Sequence, residues 1–227
     1  MSASIRIAGL GLVDERGLVG TACEARSFEQ GGITKVRWKS LFPLPNPAYR
    51  HLDLFGRCVC IASEAAGVGR ALADELRRDT ALVLATRHGC LESDLDFAAS
   101  LAPGARVSPA VFPYTLPSTC LGELAIRHRL QGPLLCLMRG EDSLEETRKS
   151  GLREARRLLE RGEARAAVVC IGDCLTAERG AQVDLPERIG VASVVLVAGG
   201  PEVPELDGGD PRLAALLTVV REEVAAS

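Results

Sequence analysis

The apolar positions of the chain fall into runs with two different periods, and these predict strands and helices in alternation. Residues 5–13, IRIAGLGLV, form an apolar and partly β-branched run ended by Asp14, which predicts a buried strand. From Leu52 onward, Leu54, Cys58, Ile61, Ala65, Val68, Leu72 and Leu76 recur at spacings of three and four, an amphipathic helix that Gly67 and Gly69 weaken and divide. Residues 80–86, TALVLAT, are short and apolar throughout, as suits a strand buried on both faces. Glu92 to Leu101 predicts a short helix stopped by Pro103. A further helix follows Ser118 or Thr119, either of which can cap it, and ends before Gly132-Pro133. The run LLCLMR then predicts a strand, residues 142–161 a long helix, AAVVCIGD a strand, and VASVVLVAGG a last strand. PEVPELDGGDP reads as a linker and PRLAALLTVVREEV as a closing amphipathic helix.

Two stretches carry neither period. Residues 14–31 read as loop, and residues 31–49 hold three prolines, which excludes a long helix or a central strand. Residues 107–117, VSPAVFPYTLP, are likewise extended. Strands alternating with helices make an α/β domain: a single αβα layered unit with a mainly parallel, five-stranded sheet. Residues 1–200 form this domain, and residues 201–227 supply the linker and a helix packed on it.

Composition narrows the picture little. With 227 residues, 47% hydrophobic and 25% charged, the chain has the make-up of one ordinary domain that buries roughly 70% of its unfolded surface. Twenty-seven basic against 30 acidic residues leave a net charge of −3 and no basic stripe with interleaved aromatics, so nucleic acid is not an expected partner. No apolar run reaches the roughly 18 residues of a membrane span, and the N-terminus has no leader pattern, so the expected location is cytoplasmic. The eight cysteines lie inside strand-like runs, which favours buried reduced thiols over disulfides. Cys58 with Cys60 and Cys170 with Cys174 lack a matching second pair, and His51, His88 and His128 are scattered, so neither a metal site nor a cofactor is expected.

Five blocks in order, IAGLGLV, LDLFGRCVCIASEAA, VLATRHGCLESDLDFAASL, FPYTLPSTCLGELAIRHRLQGPLLCL and EARRLLERGEARAAVVCIGD, resemble β-ketoacyl synthases over nearly the whole chain. The resemblance implies half of a thiolase-like fold, standing alone, without the second half that carries the family's two histidines. It places Glu141 where those enzymes carry the nucleophilic cysteine, at the turn from strand LLCLMR into its helix. A carboxylate there complements the helix dipole, worth about 0.3–1 kcal/mol, but accepts acyl groups poorly. Two readings of Glu141 stand: an ordinary acidic helix start, or a mimic of the glutamine found in decarboxylating and chain-length-factor homologues. The helix after the turn carries Glu145, Glu146, Arg148, Lys149, Arg153, Arg156, Arg157 and Glu160, so it is expected to be partly solvated. Cys120, near a helix start, is the alternative nucleophile; eight residues from His128, about 12 Å along a helix, it reads rather as packing.

The resemblance therefore implies a chain-length-factor-like, non-catalytic subunit. It would pair with a full-length ketosynthase and reach acyl carrier protein through that partner, in fatty acid, polyketide or aryl-polyene-type synthesis. The strand of Leu134, Leu135, Cys136, Leu137, Met138 and Arg139 would form the partner interface, and Val111, Phe112, Tyr114 and Leu116 would shape the acyl pocket. The alternatives are a decarboxylase or acyltransfer enzyme acting on carrier-bound substrates, and a structural scaffold or homodimeric relic.

Overall fold

The computed structural model describes residues 4–28, 32–104, 107, 109–140, 143–185, 188–199, 206 and 209–225. Among these, strands β1 (Ile5–Asp14), β2 (Gly17–Gly20), β3 (Cys23–Ser27), β4 (Thr80–Thr86), β5 (Leu134–Met138), β6 (Ala166–Leu175) and β7 (Arg188–Ala198) form one sheet of order β3-β2-β1-β7-β6-β4-β5. The principal helices are α3 (Leu54–Ala65), α6 (Leu91–Ser100), α7 (Thr119–His128), α8 (Leu144–Glu160) and α10 (Pro211–Ala225). Single turns α1 (Gly32–Lys35), α2 (Trp38–Leu41), α4 (Val68–Ala71) and α5 (Asp74–Arg77), the short α9 (Ala177–Gln182), and 3-10 turns at Pro47–Arg50 and Phe112–Thr115 complete the fold.

The sheet has seven strands rather than five and is mixed rather than mainly parallel. Only β4 runs parallel to its neighbours β5 and β6; β6 with β7, β7 with β1, β1 with β2 and β2 with β3 are antiparallel. The cause lies in the connections. A parallel return beside the ten-residue β6 must cross back over about 33 Å, whereas the six-residue α9 rises only about 9 Å, so the chain turns at the end of β6 and comes back antiparallel. The stretch expected to be loop after Asp14 instead adds β2 and β3 through tight turns.

Alternate residues of the central strands face opposite layers. Leu82 and Leu84 of β4, with Val168 and Cys170 of β6, join the core under α3 and α7. Ala81 and Val83, with Val169 and Ile171, join the core under α8 and α10. This period-two division over strands buried on both faces makes the expected αβα layering. The helix expected from Leu54 ends at Ala65 because Gly67 takes a left-handed conformation (φ 74°), and two single turns replace its second part. α3 lies almost on the backbone of β1: a Cβ at Gly11 would sit 2.1 Å from the Ala62 carbonyl oxygen.

Helix α8 buries Leu152, Ala155, Leu158 and Leu159 on the sheet. Glu145, Glu146, Arg153 and Glu160 are exposed, and most of its charges are paired locally, as in Glu145 with Lys149 (2.6 Å) and Arg156 with Glu160 (3.4 Å). α10 covers part of this outer face, where an Arg156 Nη1 donates to the carbonyl of Glu223 (3.0 Å). Among the described residues no helix is long and apolar enough to cross a membrane.

Candidate functional site

β5 forms one rim of the sheet, paired on one side only, with Leu134 opposite Leu82 and Met138 opposite Thr86. Its side chains alternate: Cys136 packs toward α3 and α7, and Leu135 and Leu137 toward α8. Leu134 and Met138, at its two ends, remain 44% and 51% exposed. Beyond β5 the chain passes through exposed Arg139 and Gly140 to Ser143, whose Oγ accepts the Glu146 N–H (3.1 Å) and caps α8. Glu141 and Asp142 lie outside the described residues. In sequence the five residues between β5 and α8, 139–143, are Arg, Gly, Glu, Asp and Ser, and none is a thiol.

A buried carboxylate builds the adjacent turn. Asp173, 3% exposed in β6, accepts at Oδ1 from Thr86 Oγ1 (2.8 Å), the Arg87 N–H (2.9 Å) and the His88 N–H (2.9 Å). Thr86 Oγ1 in turn accepts the Gly89 N–H (2.8 Å). Gly89 is left-handed (φ 56°) and so close to its neighbours that a Cβ would fall 2.7 Å from Pro117 Cγ and 3.3 Å from Met138 Cε. The latch therefore fixes the Thr86–Gly89 turn against the end of β5. Asp173 was not among the residues expected to matter, although one signal was present: a charge in the middle of the apolar run AVVCIGDCL.

The cysteines near the turn are poor nucleophiles. Cys120 is buried in the first turn of α7, donates to the Pro117 carbonyl (3.0 Å), and burial pushes its thiol well up. Burial likewise pushes Cys90 up to about 12 and raises Cys136. Neither Ser118 nor Thr119 caps α7 through its side chain: Ser118 is already helical in conformation, and Thr119 Oγ1 donates back to the Pro113 carbonyl (2.5 Å). His128, at the other end of α7, is buried beside Glu64 (3.6 Å), and desolvation lowers it to about 4.

The residues expected to shape an acyl pocket divide. Tyr114 packs on the core, while Phe112 and Leu116 are exposed and the Phe112 ring meets Phe97 at 5.5 Å. The cavity between Tyr114, Cys90 and Cys120 holds only about 10 Å³, too little for an acyl chain.

A family model described as beta-ketoacyl synthase, N-terminal domain, matches residues 55–212, well over half of the chain. The chain belongs to this beta-ketoacyl synthase family. The match takes in the α3 helix, the latch, β5 and the turn, so the edge strand and its thiol-free turn belong to the synthase domain itself. No curated protein matches the sequence. Among solved structures, a chain of the ketosynthase (ApeO) in complex with its chain length factor (ApeC) from Xenorhabdus doucetiae is 18% identical, with TM-score 0.59 over 87% of this chain and 80% of that one. The ishigamide ketosynthase/chain length factor gives 19% identity and TM-score 0.64 over 98% of this chain and 74% of that one. A chain of a type II polyketide synthase acyl-carrier protein in complex with its ketosynthase bound to the hexaketide is 11% identical, with TM-score 0.55 over 87% of this chain and 59% of that one. These likenesses establish the thiolase-type fold.

Proposed function

We propose that this protein is a non-catalytic, chain-length-factor-like subunit that pairs with an active ketosynthase through β5, in the synthesis of a fatty acid, polyketide or aryl-polyene-type chain. The observation that carries the reading is the sequence between β5 and α8, residues 139–143, which holds no thiol where the resemblance puts the family's nucleophile, while burial holds Cys90, Cys120 and Cys136 protonated. An apolar edge strand with exposed ends supports the pairing, since such an edge is an aggregation hazard unless another chain covers it. Two of the similar structures are complexes of a ketosynthase and a chain length factor, and this chain spans most of the length of the chains matched there. On this reading Phe112 and Leu116 reach toward the acyl tunnel of the partner, acyl carrier protein is met through the partner, and the protein works in the cytoplasm with eight free thiols.

Co-expression with a full-length ketosynthase tests it. Co-purification is expected, with an interface of about 2,000 Å² or more. Two free proteins at micromolar concentration would sink the pairing. Incubation of the isolated chain with malonyl and acyl carrier protein should give neither an adduct by intact mass nor carbon dioxide; either product would favour an enzyme instead.

A further inference from the structure

The segment before α3 carries a feature that the pairing does not use. Lys35, Arg37, Lys39, Arg50 and Arg57 line one concavity of about 640 Å³, and its lining contains no carboxylate. Among the described residues none of these five cations forms an ion pair, whereas several arginines elsewhere are neutralised locally, as in Arg16 with Asp14 and Arg212 with Asp210. Five like charges on one wall repel one another, and a bound anion relieves that repulsion.

The wall is also shaped. Arg57 lies over the Tyr49 ring (5.6 Å to its centroid) and donates from Nη2 to the Arg50 carbonyl (3.4 Å), so its guanidinium is held in place. Its Nε–H is buried without an acceptor. Asp53 attracts it, but the Asp53 oxygens are occupied by the Gly56 N–H (2.8 Å) and Ser93 Oγ (2.9 Å). Pro45, Pro47 and the edges of Trp38 and Tyr49 give the same concavity an apolar side. Trp38 is fixed by donating from Nε1 to the Leu44 carbonyl (2.6 Å).

We propose that this pocket binds a phosphorylated small molecule of nucleotide size, its phosphates on the lysines and arginines and its ring against the proline and aromatic side. The volume falls in the range of small-molecule sites, about 300–1,000 Å³, and planar guanidinium groups match phosphate oxygens. The pocket shares no lining residue with β5 or the turn after it, so the assignment stands or falls separately from the pairing.

Trp38 is the only tryptophan of the chain and reports directly on the site. Titration of the full chain with ADP should change Trp38 emission saturably below millimolar concentration. Lys35→Gln with Arg37→Gln, both exposed and outside the core, should weaken that binding at least tenfold, while Arg153→Gln on α8 should leave it unchanged. No saturable change with ADP, or equal binding by the double variant, overturns the proposal. A Trp38 response to an acidic carrier protein but not to ADP overturns it too, in favour of protein docking.

Discussion

Asp173 survives inside a strand buried on both faces because one of its oxygens takes three donors at once. Removing the carboxylate leaves two half-buried backbone N–H groups and a buried hydroxyl without their acceptor, so Asp173→Ala should lower stability by about 3 kcal/mol in urea unfolding, and Asp173→Asn, which keeps a carbonyl oxygen, by about 1 kcal/mol. Equal midpoints for wild type and Asp173→Ala would show that the latch holds nothing. The charge is visible in the sequence as one Asp within an apolar run, though it was not among the residues expected to matter; its three partners are not visible, because they lie 85 to 87 residues away and meet it only when β4 pairs with β6. His128 carries a pH dependence of definite sign. Burial holds it neutral, with a folded value of about 4 against about 6.5 unfolded, so the unfolded chain binds the extra proton between these values and stability falls as pH drops through that window. The loss reaches about 3 kcal/mol near pH 4. His128→Gln should flatten the slope of the urea midpoint between pH 6.5 and 4; parallel curves would rule out His128 as its source. Thiol reactivity follows burial as well: native protein at pH 8 should alkylate half-buried Cys23 and Cys136 before Cys120, Cys60 or Cys170, as read by peptide mass.

At the level of elements, periodicity located the long helices and the central strands within a few residues, since these are set by which side chains must leave water. β2 and β3 escaped it. GLVG is four residues buried on both sides, with no alternation to read, and CEARS is an exposed edge strand with the composition of a loop. The two parallel pairings of β4 and the four antiparallel ones elsewhere were not legible either, because direction is decided by how far each connection travels. The close seat of α3 on β1 depends on glycine at position 11, where a side chain would strike the Ala62 and Ala65 backbone. Gly11→Val should therefore abolish soluble expression or cost several kcal/mol. At the start of α8, Ser143→Ala removes a cap and should cost about 1 kcal/mol without altering the far-ultraviolet spectrum.

For the whole molecule, resemblance in five blocks placed the fold and pointed to the strand from Leu134 as the partner-facing one, and the sheet order puts β5 at one rim. If β5 is the pairing edge proposed above, Leu134→Lys with Met138→Lys should leave the monomer folded and reduce recovery of a co-expressed ketosynthase at least tenfold; undiminished recovery would move the contact away from β5. The sheet's two rims are chemically unequal. At the far one, β3 presents Glu24, Arg26 and Ser27 to water, a charged border on which another strand gains little. On the proposed pairing a partner adds at β5 alone, and a molecule that has taken a neighbour there offers no second apolar border for the next. The asymmetry acts as a chain terminator: it permits a pair and forbids a fibre.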